Sequence, residues 1–254
     1  MIKNMIFGGR PEGLITAWSF NRLREFEDCP KRLHDKTYLK KKPLIEEDTS
    51  AADRGTRIHN EIEAYIRDIN KGFSDDNQAL EHHGELIDNL RTKYKNGLVD
   101  LEQDWAFNVN WEECGWWDDD VWCRFKLDAF EWHGTRDAES ATVYDWKTGK
   151  GSDYSKFKYL DQMKSYAVQV FAKYPKLQFV VTRLVFVDKP GKPLEQRYSR
   201  AQAETLMQKL NERAMTLTTA KKFPATPAKY TCKFCPYGEE NGDKTCEFRY
   251  NQGS

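Results

Sequence analysis

The chain has 254 residues, enough for one sizeable core or for a compact domain with a small lobe appended. Its 40 basic and 40 acidic residues cancel, which excludes the global cationic field of histone-like or tail-driven nucleic-acid binders and leaves any nucleic-acid groove to a local patch. No run approaches the roughly 18 to 20 apolar residues of a membrane helix, and Met1 to Gly13 lacks a long apolar segment with a small-residue cleavage site, so a cytosolic protein without a membrane partner is expected.

In chain order, Thr16 to Asp28 reads as a short helix, with Phe20, Leu23 and Phe26 at helical spacing before Cys29-Pro30 stops it. Lys36 to Asp48 is a charged connection. Ala52 to Asn70 is a second helix, with Ile58, Ile62, Tyr65, Ile66 and Ile69 on one stripe and His59 on its flank. A third helix runs from Gln78 to about Lys95 with a sparse apolar stripe. His34, His82, His83 and His133 have no site-like context and are expected at the surface.

The character then changes. Trp105 to Trp111, Val121 to Trp132 and Ala141 to Lys147 are aromatic and β-branched runs separated by acidic or Gly-containing turns, which predicts an antiparallel meander. Phe157 to Tyr174 returns to helical spacing, Leu177 to Asp188 is a Val-rich strand, and Ser199 with Gln202 opens a final long helix in capping-box style. The fold class is therefore α/β (α+β), read as one domain over 1–254. Within it, 1–100 is expected to be a helical cap, 101–190 the sheet and its helix, and 191–254 a last helix with a cysteine-bearing segment.

The chemistry concentrates on two neighbouring strands. Alternation puts Arg124, Lys126 and Asp128 on one face of their strand and Phe125, Leu127 and Ala129 on the other. On the next strand Asp145 and Lys147 point one way and Trp146 the other. Two carboxylates on adjoining strands suit a hard divalent cation, and an ammonium beside them can orient a water or meet phosphate charge. The bland reading of Arg124, Lys126 and Asp128 is a solvated ion-pair ladder. That of Gln162 and Tyr166, four apart on the following helix, is a core tyrosine and its neighbour.

The ordered set Gly55-Thr56-Arg57-Ile58-His59, Asp128, Asp145-Trp146-Lys147-Thr148-Gly149, Gln162 with Tyr166, and four cysteines resembles the PD-(D/E)XK nuclease superfamily. Within its RecB-like branch it is most similar to the iron-sulfur exonucleases associated with CRISPR adaptation and to the AddAB nuclease domain, over Trp18 to Cys246. The resemblance implies a restriction-endonuclease-like αβββαβ core with an N-terminal helical cap and a C-terminal cluster lobe. It also implies Mg2+ or Mn2+ held by His59, Asp128, Asp145 and the carbonyl of Trp146, with Lys147 positioning or activating water. Gln162 and Tyr166 would contact the substrate strand or steady Lys147. Arg124, Lys126 and Lys150, interleaved with aromatic residues, are expected to bind DNA. Glu63, one turn beyond His59, is as readily a solvated partner as a site residue.

Six cysteines in a cytosolic chain point to metal ligation for some of them rather than to disulfides. Cys232 and Cys235 form a CxxC, Cys246 follows, and Cys29 lies far upstream; Cys114 and Cys123 are expected to be structural thiols. By ligand count a four-thiolate site is equally a structural zinc site. The resemblance, through Cys29-Pro30 and Phe234-Cys235-Pro236, implies a [4Fe-4S] cluster, while the longer loop carrying Gly238, Asn241 and Gly242 keeps zinc as the alternative.

In function, the resemblance implies a metal-dependent DNA exonuclease on single-stranded ends, with possible endonuclease action, in the cytoplasm or, if phage-encoded, the host cytoplasm. Two alternatives stay open: a non-catalytic nucleic-acid-binding or partner module, and a site-specific endonuclease or RNA nuclease on the same fold. With no GxxxxGK phosphate-binding segment, the protein either meets ends that already exist or relies on a helicase or recombination partner to unwind.

Overall fold

A computed structural model describes residues 11–44, 49–69, 72–149, 153–238 and 242–248. The chain divides into two compact units, one containing residues 50–210 and the other residues 7–49 with 211–254. The segment expected as an N-terminal cap is thereby divided. Its second and third helices belong to the sheet's unit and its first to the unit that holds the C-terminal segment. Among the described residues, no helix is long and apolar enough to cross a membrane.

The sheet unit begins with α3 (Ser50–Ile66) and α4 (Ala79–Lys95), after α1 (Phe20–Asp28) and α2 (Pro30–Leu33) of the other unit. Then come β1 (Val99–Phe107), β2 (Glu113–Cys114), β3 (Cys123–Trp132), β4 (Ser140–Lys147), α5 (Asp153–Lys173), β5 (Phe179–Phe186) and β6 (Leu194–Ser199). The six strands form one sheet in the order β2-β1-β3-β4-β5-β6. β1, β3 and β4 make the expected antiparallel meander, and β5 lies parallel to β4 after the α5 crossover. β6 was not expected from the sequence: its Glu195, Gln196 and Arg197 are exposed, so it lacks the apolar alternation that marks a half-buried strand. Trp111, read as a strand end, instead sits in a turn with φ +59°.

α6 (Arg200–Thr218) opens as the capping box anticipated, with Ser199 N–H bonded to Gln202 Oε1 (2.8 Å) and Gln202 N–H to Ser199 Oγ (3.3 Å). One sheet face packs Ile58, Ile62 and Ile66 of α3, and Ile87 and Leu90 of α4, against Leu101, Ala129, Tyr144, Trp146 and Val185. His83, expected at the surface, is buried on α4 and reaches the carbonyls of Phe186 (2.9 Å) and Lys189 (3.1 Å). Its partners lie over 100 residues downstream, out of reach of local sequence reasoning.

The other face packs on α5 through Phe125 with Tyr166 (ring centroids 5.1 Å) and on the residue just after it through Phe130 with Tyr174 (5.3 Å). Residues five apart on a regular strand face opposite ways, so alternation fails between Phe125 and Phe130. β1 has the matching fault: Leu101 joins the α3/α4 core, whereas Trp105, four residues on, packs on Tyr174 (5.6 Å). The ladder passes from Leu101↔Ala129 to Gln103↔Leu127, skipping Glu102 opposite Asp128, and Glu102 adopts a left-handed φ of +48°. The expectation that Phe125, Leu127 and Ala129 share one face is corrected accordingly, since a local reversal at this point is invisible to a period-2 pattern.

In the second unit, Ser19 Oγ caps α1 by accepting Arg22 N–H (3.4 Å), and Cys29 ends it with its N–H on Glu25 O (3.0 Å). α2 follows at once and runs into a π-helical turn over His34–Tyr38, which overlaps the start of the segment read as a charged connection from Lys36. The two stretches of this unit are stitched by Gly13 N–H to Thr218 O (2.9 Å), Thr226 Oγ1 to Asp28 O (2.9 Å) and Tyr237 OH to Lys41 O (2.7 Å). An Arg213–Glu27 ion pair (2.6 Å) and the Phe26–Phe223 ring contact (5.8 Å) add to them. A Cβ on Gly13 would lie 2.3 Å from Thr218 O, so only glycine allows that approach.

A buried polar network ties the sheet together. Glu131, 5% exposed, accepts from Tyr144 OH (2.6 Å) and pairs with Lys93 (2.5 Å), while Arg183 donates to Tyr144 OH (2.9 Å). Glu131→Ala is expected to cost about 3 kcal/mol by leaving these donors without their acceptor. Glu131→Gln, which keeps an acceptor for Tyr144, should cost less. Urea unfolding midpoints check both, and equal midpoints for wild type and Glu131→Ala would deny the network a stabilising role.

Candidate active site

Backbone pairing between β3 and β4 runs from Trp132↔Ala141 to Ala129↔Tyr144 and ends there. One step further, the Asp128 carboxylate takes over the ladder by accepting the Trp146 N–H at Oδ2 (2.7 Å). Its other oxygen lies 3.4 Å from His59 Nδ1. Asp128 thus fixes β4 with one oxygen and faces α3 with the other. Trp146 places its indole in the α3/α4 core, as its alternation demanded.

Asp145 is 7% exposed. Tyr166 OH donates to its Oδ1 in a short hydrogen bond, and Gln162 Nε2 donates to Tyr166 OH (2.6 Å). Its Oδ2 meets the Lys147 ammonium at 2.5 Å and has no well-angled hydrogen bond. The structure therefore joins Gln162, Tyr166, Asp145 and Lys147 in one chain of contacts. Tyr166 is itself buried and steadies Asp145, so the substrate-contact option for this residue is not what the geometry favours.

Electrostatics follow from burial and neighbours. For His59, burial opposes the charged ring, but the hydrogen bond and charge of Asp128, with Asp145 beyond, raise its pKa overall. Burial raises Asp145, and the opposing pull of Lys147 does not fully offset it. Burial works against the charge of Lys147 as well, yet Asp145 and Asp128 raise its pKa overall. Burial and the Asp145 charge push Tyr166 well up, which keeps it a donor.

One member was missed by sequence reasoning. Glu102 joins His59 and Asp128 in a group whose nitrogen and oxygen ligand atoms all lie within 4.8 Å of one another. Burial, then the charges of Asp128 and Glu63, push its carboxyl up to about 7. Glu102 precedes the run read as the first strand, and only its register opposite Asp128 marks it. Asp145 lies outside that group, beside it on β4. An imidazole with two carboxylates is a donor set that suits Mn2+ or Mg2+, so His59, Glu102 and Asp128 fit a divalent cation, as does the incompletely bonded Asp145 Oδ2.

The flanks are fixed by charge. Asp188 accepts Gly149 N–H (2.6 Å), where φ is +89°, and binds Arg54 of α3 through two contacts (2.9 and 2.7 Å). The turn after Lys147 is thereby tied to the helix carrying His59. Glu63 pairs with Arg67 (2.7 Å). Arg124 and Lys126 lie further along β3, engaged with Trp116 and, for Lys126, with Asp104 (3.0 Å). Lys150 falls outside the described residues.

The four cysteines expected to act together all belong to the second unit: Cys29 between α1 and α2, Cys232 on α7 (Lys229–Lys233), then Cys235 and Cys246. Burial pushes the Cys235 thiol up, with the charges of Cys246 and Cys29 adding to it and that of Arg32 opposing. Among the described residues, no three of the sulfurs lie within 4.8 Å of one another. Gly238 and Gly242 allow the loop to close, since a Cβ on either would lie 2.4 Å from the carbonyl of Cys232 or Cys235 respectively. Cys123 is buried and accepts a hydrogen bond from Gln169 (3.4 Å), and Cys114 is half-buried.

The profile of the PD-(D/E)XK nuclease superfamily matches residues 17–239, and the chain belongs to that superfamily. No curated protein matches it. Among solved structures, SSO0001 is 14% identical at a TM-score of 0.38, the match covering 93% of this chain and 89% of that one. A protein from Eubacterium rectale, described as a candidate exonuclease, is 11% identical at a TM-score of 0.48, covering 94% of this chain and 91% of that one.

The raised pKa of His59 has a consequence for stability in metal-free protein. Charged His59 on Asp128 stabilises the fold fully below the unfolded pKa of about 6.5, and that contribution is lost as pH rises through the higher folded value. The stability advantage of wild type over His59→Gln should be largest near pH 5 to 6 and shrink toward pH 9. Chemical denaturation across that range measures it, and a flat difference would show that Asp128 does not hold an imidazolium.

Proposed function

We propose that this member of the PD-(D/E)XK superfamily is a metal-dependent DNA nuclease of its RecB-like branch, acting as an exonuclease on single-stranded ends. The observation that carries the reading is the meeting of Asp128, His59 and Glu102 beside the buried Asp145–Lys147 pair, where β3 and β4 stop pairing. His59, Glu102, Asp128 and Asp145 would hold Mg2+ or Mn2+. When bound, the ion lowers the pKa of a coordinated water and offsets charge on the phosphorane.

The protein's own groups account for the rest. Water attacks phosphorus, the bond to the leaving oxygen breaks, and the two products carry the water's hydroxyl and proton. Lys147, with its pKa raised by the two acids, presents an ammonium to the phosphate or the attacking water. Tyr166 and Gln162 hold Asp145 against rotation, and Asp128 fixes the backbone of Trp146. The intact set of acids and lysine argues against a non-catalytic module. A cytoplasmic site of action, with a helicase or recombination partner supplying ends, fits the same reading.

Purified protein should cleave linear single-stranded DNA only with Mg2+ or Mn2+, and chelation should abolish it. Asp128→Asn, Asp145→Asn and Lys147→Ala should each lose at least about 100-fold while remaining folded, the scale of removing one electrostatic contact to a transition state. Full activity in all three would dismiss the assignment. Equal cleavage of circular and linear strands would replace exonuclease by endonuclease action.

For Cys29, Cys232, Cys235 and Cys246 we propose a structural [4Fe-4S] cluster, with zinc as the alternative. Their place in one unit supports a shared ligand. Replacing any one by serine should lower the melting temperature and the bound iron, whereas Cys114→Ser should leave iron unchanged. Anaerobic iron and sulfide analysis near four of each per chain is expected. One zinc instead would keep the site and change its metal, and no metal would remove the site.

A further inference from the structure

The turn before β3 presents two indoles. Asp118 N–H bonds to Gly115 O (3.2 Å), and the Asp118 carboxylate closes the same turn a second time by accepting Gly115 N–H (2.6 Å). Trp116 and Trp117 occupy its two central positions. A Cβ on Gly115 would lie 2.5 Å from Asp118 Oδ1, so glycine is what lets the carboxylate close on the turn. From β3, Arg124 donates to Trp116 O (2.8 Å), and its guanidinium lies 5.8 Å from the Trp116 ring and 5.3 Å from that of Trp117. The Lys126 ammonium is 5.2 Å from the Trp116 ring.

Trp117 is nevertheless 84% exposed. A single exposed aromatic residue is ordinary. One whose turn is closed twice and whose ring is backed by a fixed guanidinium is pre-ordered, so a ligand laid on it loses little further side-chain freedom. The chemistry such a surface recognises is a flat π face carrying nearby negative charge. Arg124 and Lys126 precede Asp128 on β3 by four and two residues, about 13 and 7 Å at the usual rise per residue.

We propose that Trp117, supported by Trp116, Arg124 and Lys126, is a stacking platform for an unpaired base of single-stranded DNA whose phosphodiester lies at the Asp128–Asp145 site. The proposal rests on the nuclease reading and adds the basis for its substrate class. A duplex keeps its base faces stacked inward and offers no such partner, whereas every unpaired base has a free face. Lys126 is also paired with Asp104 (3.0 Å), and acids follow Trp117 in the loop, so the ring faces rather than bulk positive charge do the recognising.

The test measures binding of a 5′-labelled thymidine oligonucleotide by anisotropy in chelator, where nothing is cleaved. Trp117→Ala should bind about tenfold more weakly, toward the low end of one base–aromatic stack, and Trp117→Phe should recover part of the loss. An oligonucleotide of abasic residues should bind wild type and Trp117→Ala alike. Mn2+-dependent cleavage of the abasic oligonucleotide, which offers no base face, should be unchanged in Trp117→Ala. Equal oligonucleotide affinity of the two proteins, or an equal loss on the abasic strand, would overturn the platform. Loss of oligonucleotide affinity in a protein whose wild type hydrolyses no phosphodiester would uphold the platform and remove the nuclease reading instead.

Discussion

Most of the site depends on the place where β3 and β4 part. Beyond Ala129↔Tyr144 the ladder stops, and the Trp146 N–H would face an unpaired edge were it not for the Asp128 carboxylate at 2.7 Å. A buried amide left without a partner costs about 1–3 kcal/mol, so this contact fixes the Asp128 side chain as firmly as it fixes the strand. Having one oxygen committed, Asp128 can offer only the other to His59 and to a cation. The left-handed φ of Glu102 across the β1–β3 ladder belongs to the same local reversal, and it brings a third group able to ligate a cation to the break.

Burying Asp145 and Lys147 side by side is costly unless each satisfies the other, and the fold adds Tyr166 and Gln162 to hold the acid. The pair is thereby pre-oriented before any substrate arrives, with the ammonium on one carboxylate oxygen and the phenol on the other. Preorganised charge of this kind is what lowers a barrier in a water-poor site, because no reorganisation is left to the moment of reaction. The Arg54–Asp188–Gly149 contacts extend the same logic outward by tying the turn after Lys147 to the helix of His59.

The helices, the meander and the capping box were legible because each is written in local periodicity or turn chemistry. His59, Asp128, Asp145, Lys147, Gln162 and Tyr166 were legible because the motif order put them on adjoining elements, and the structure brings those side chains together. Glu102 was not, for it sits before the recognised strand run and acquires its position only from the register with Asp128. The face reversal at Phe125 to Phe130, the burial of His83 against Phe186 and Lys189, and the edge strand Leu194–Ser199 share that origin. Each depends on a partner distant in sequence, where a single-strand pattern carries no signal.

The charge balance bears on how a strand would be held. With 40 cationic and 40 anionic side chains there is no chain-wide positive field, and Lys126 of β3 is paired with Asp104. Counterion release, the usual source of nucleic-acid affinity, would then have to come from a local patch. Under the proposed reading, cation coordination at the acids, the Lys147 ammonium held at a fixed point and base faces on an aromatic surface would add to it without depending on bulk charge. Such a protein would bind weakly away from its site and orient a strand chiefly where its bases are free and a phosphate can reach Asp128 and Asp145. The proposed preference for unpaired ends would then rest on a few ordered side chains rather than on a chain-wide positive field.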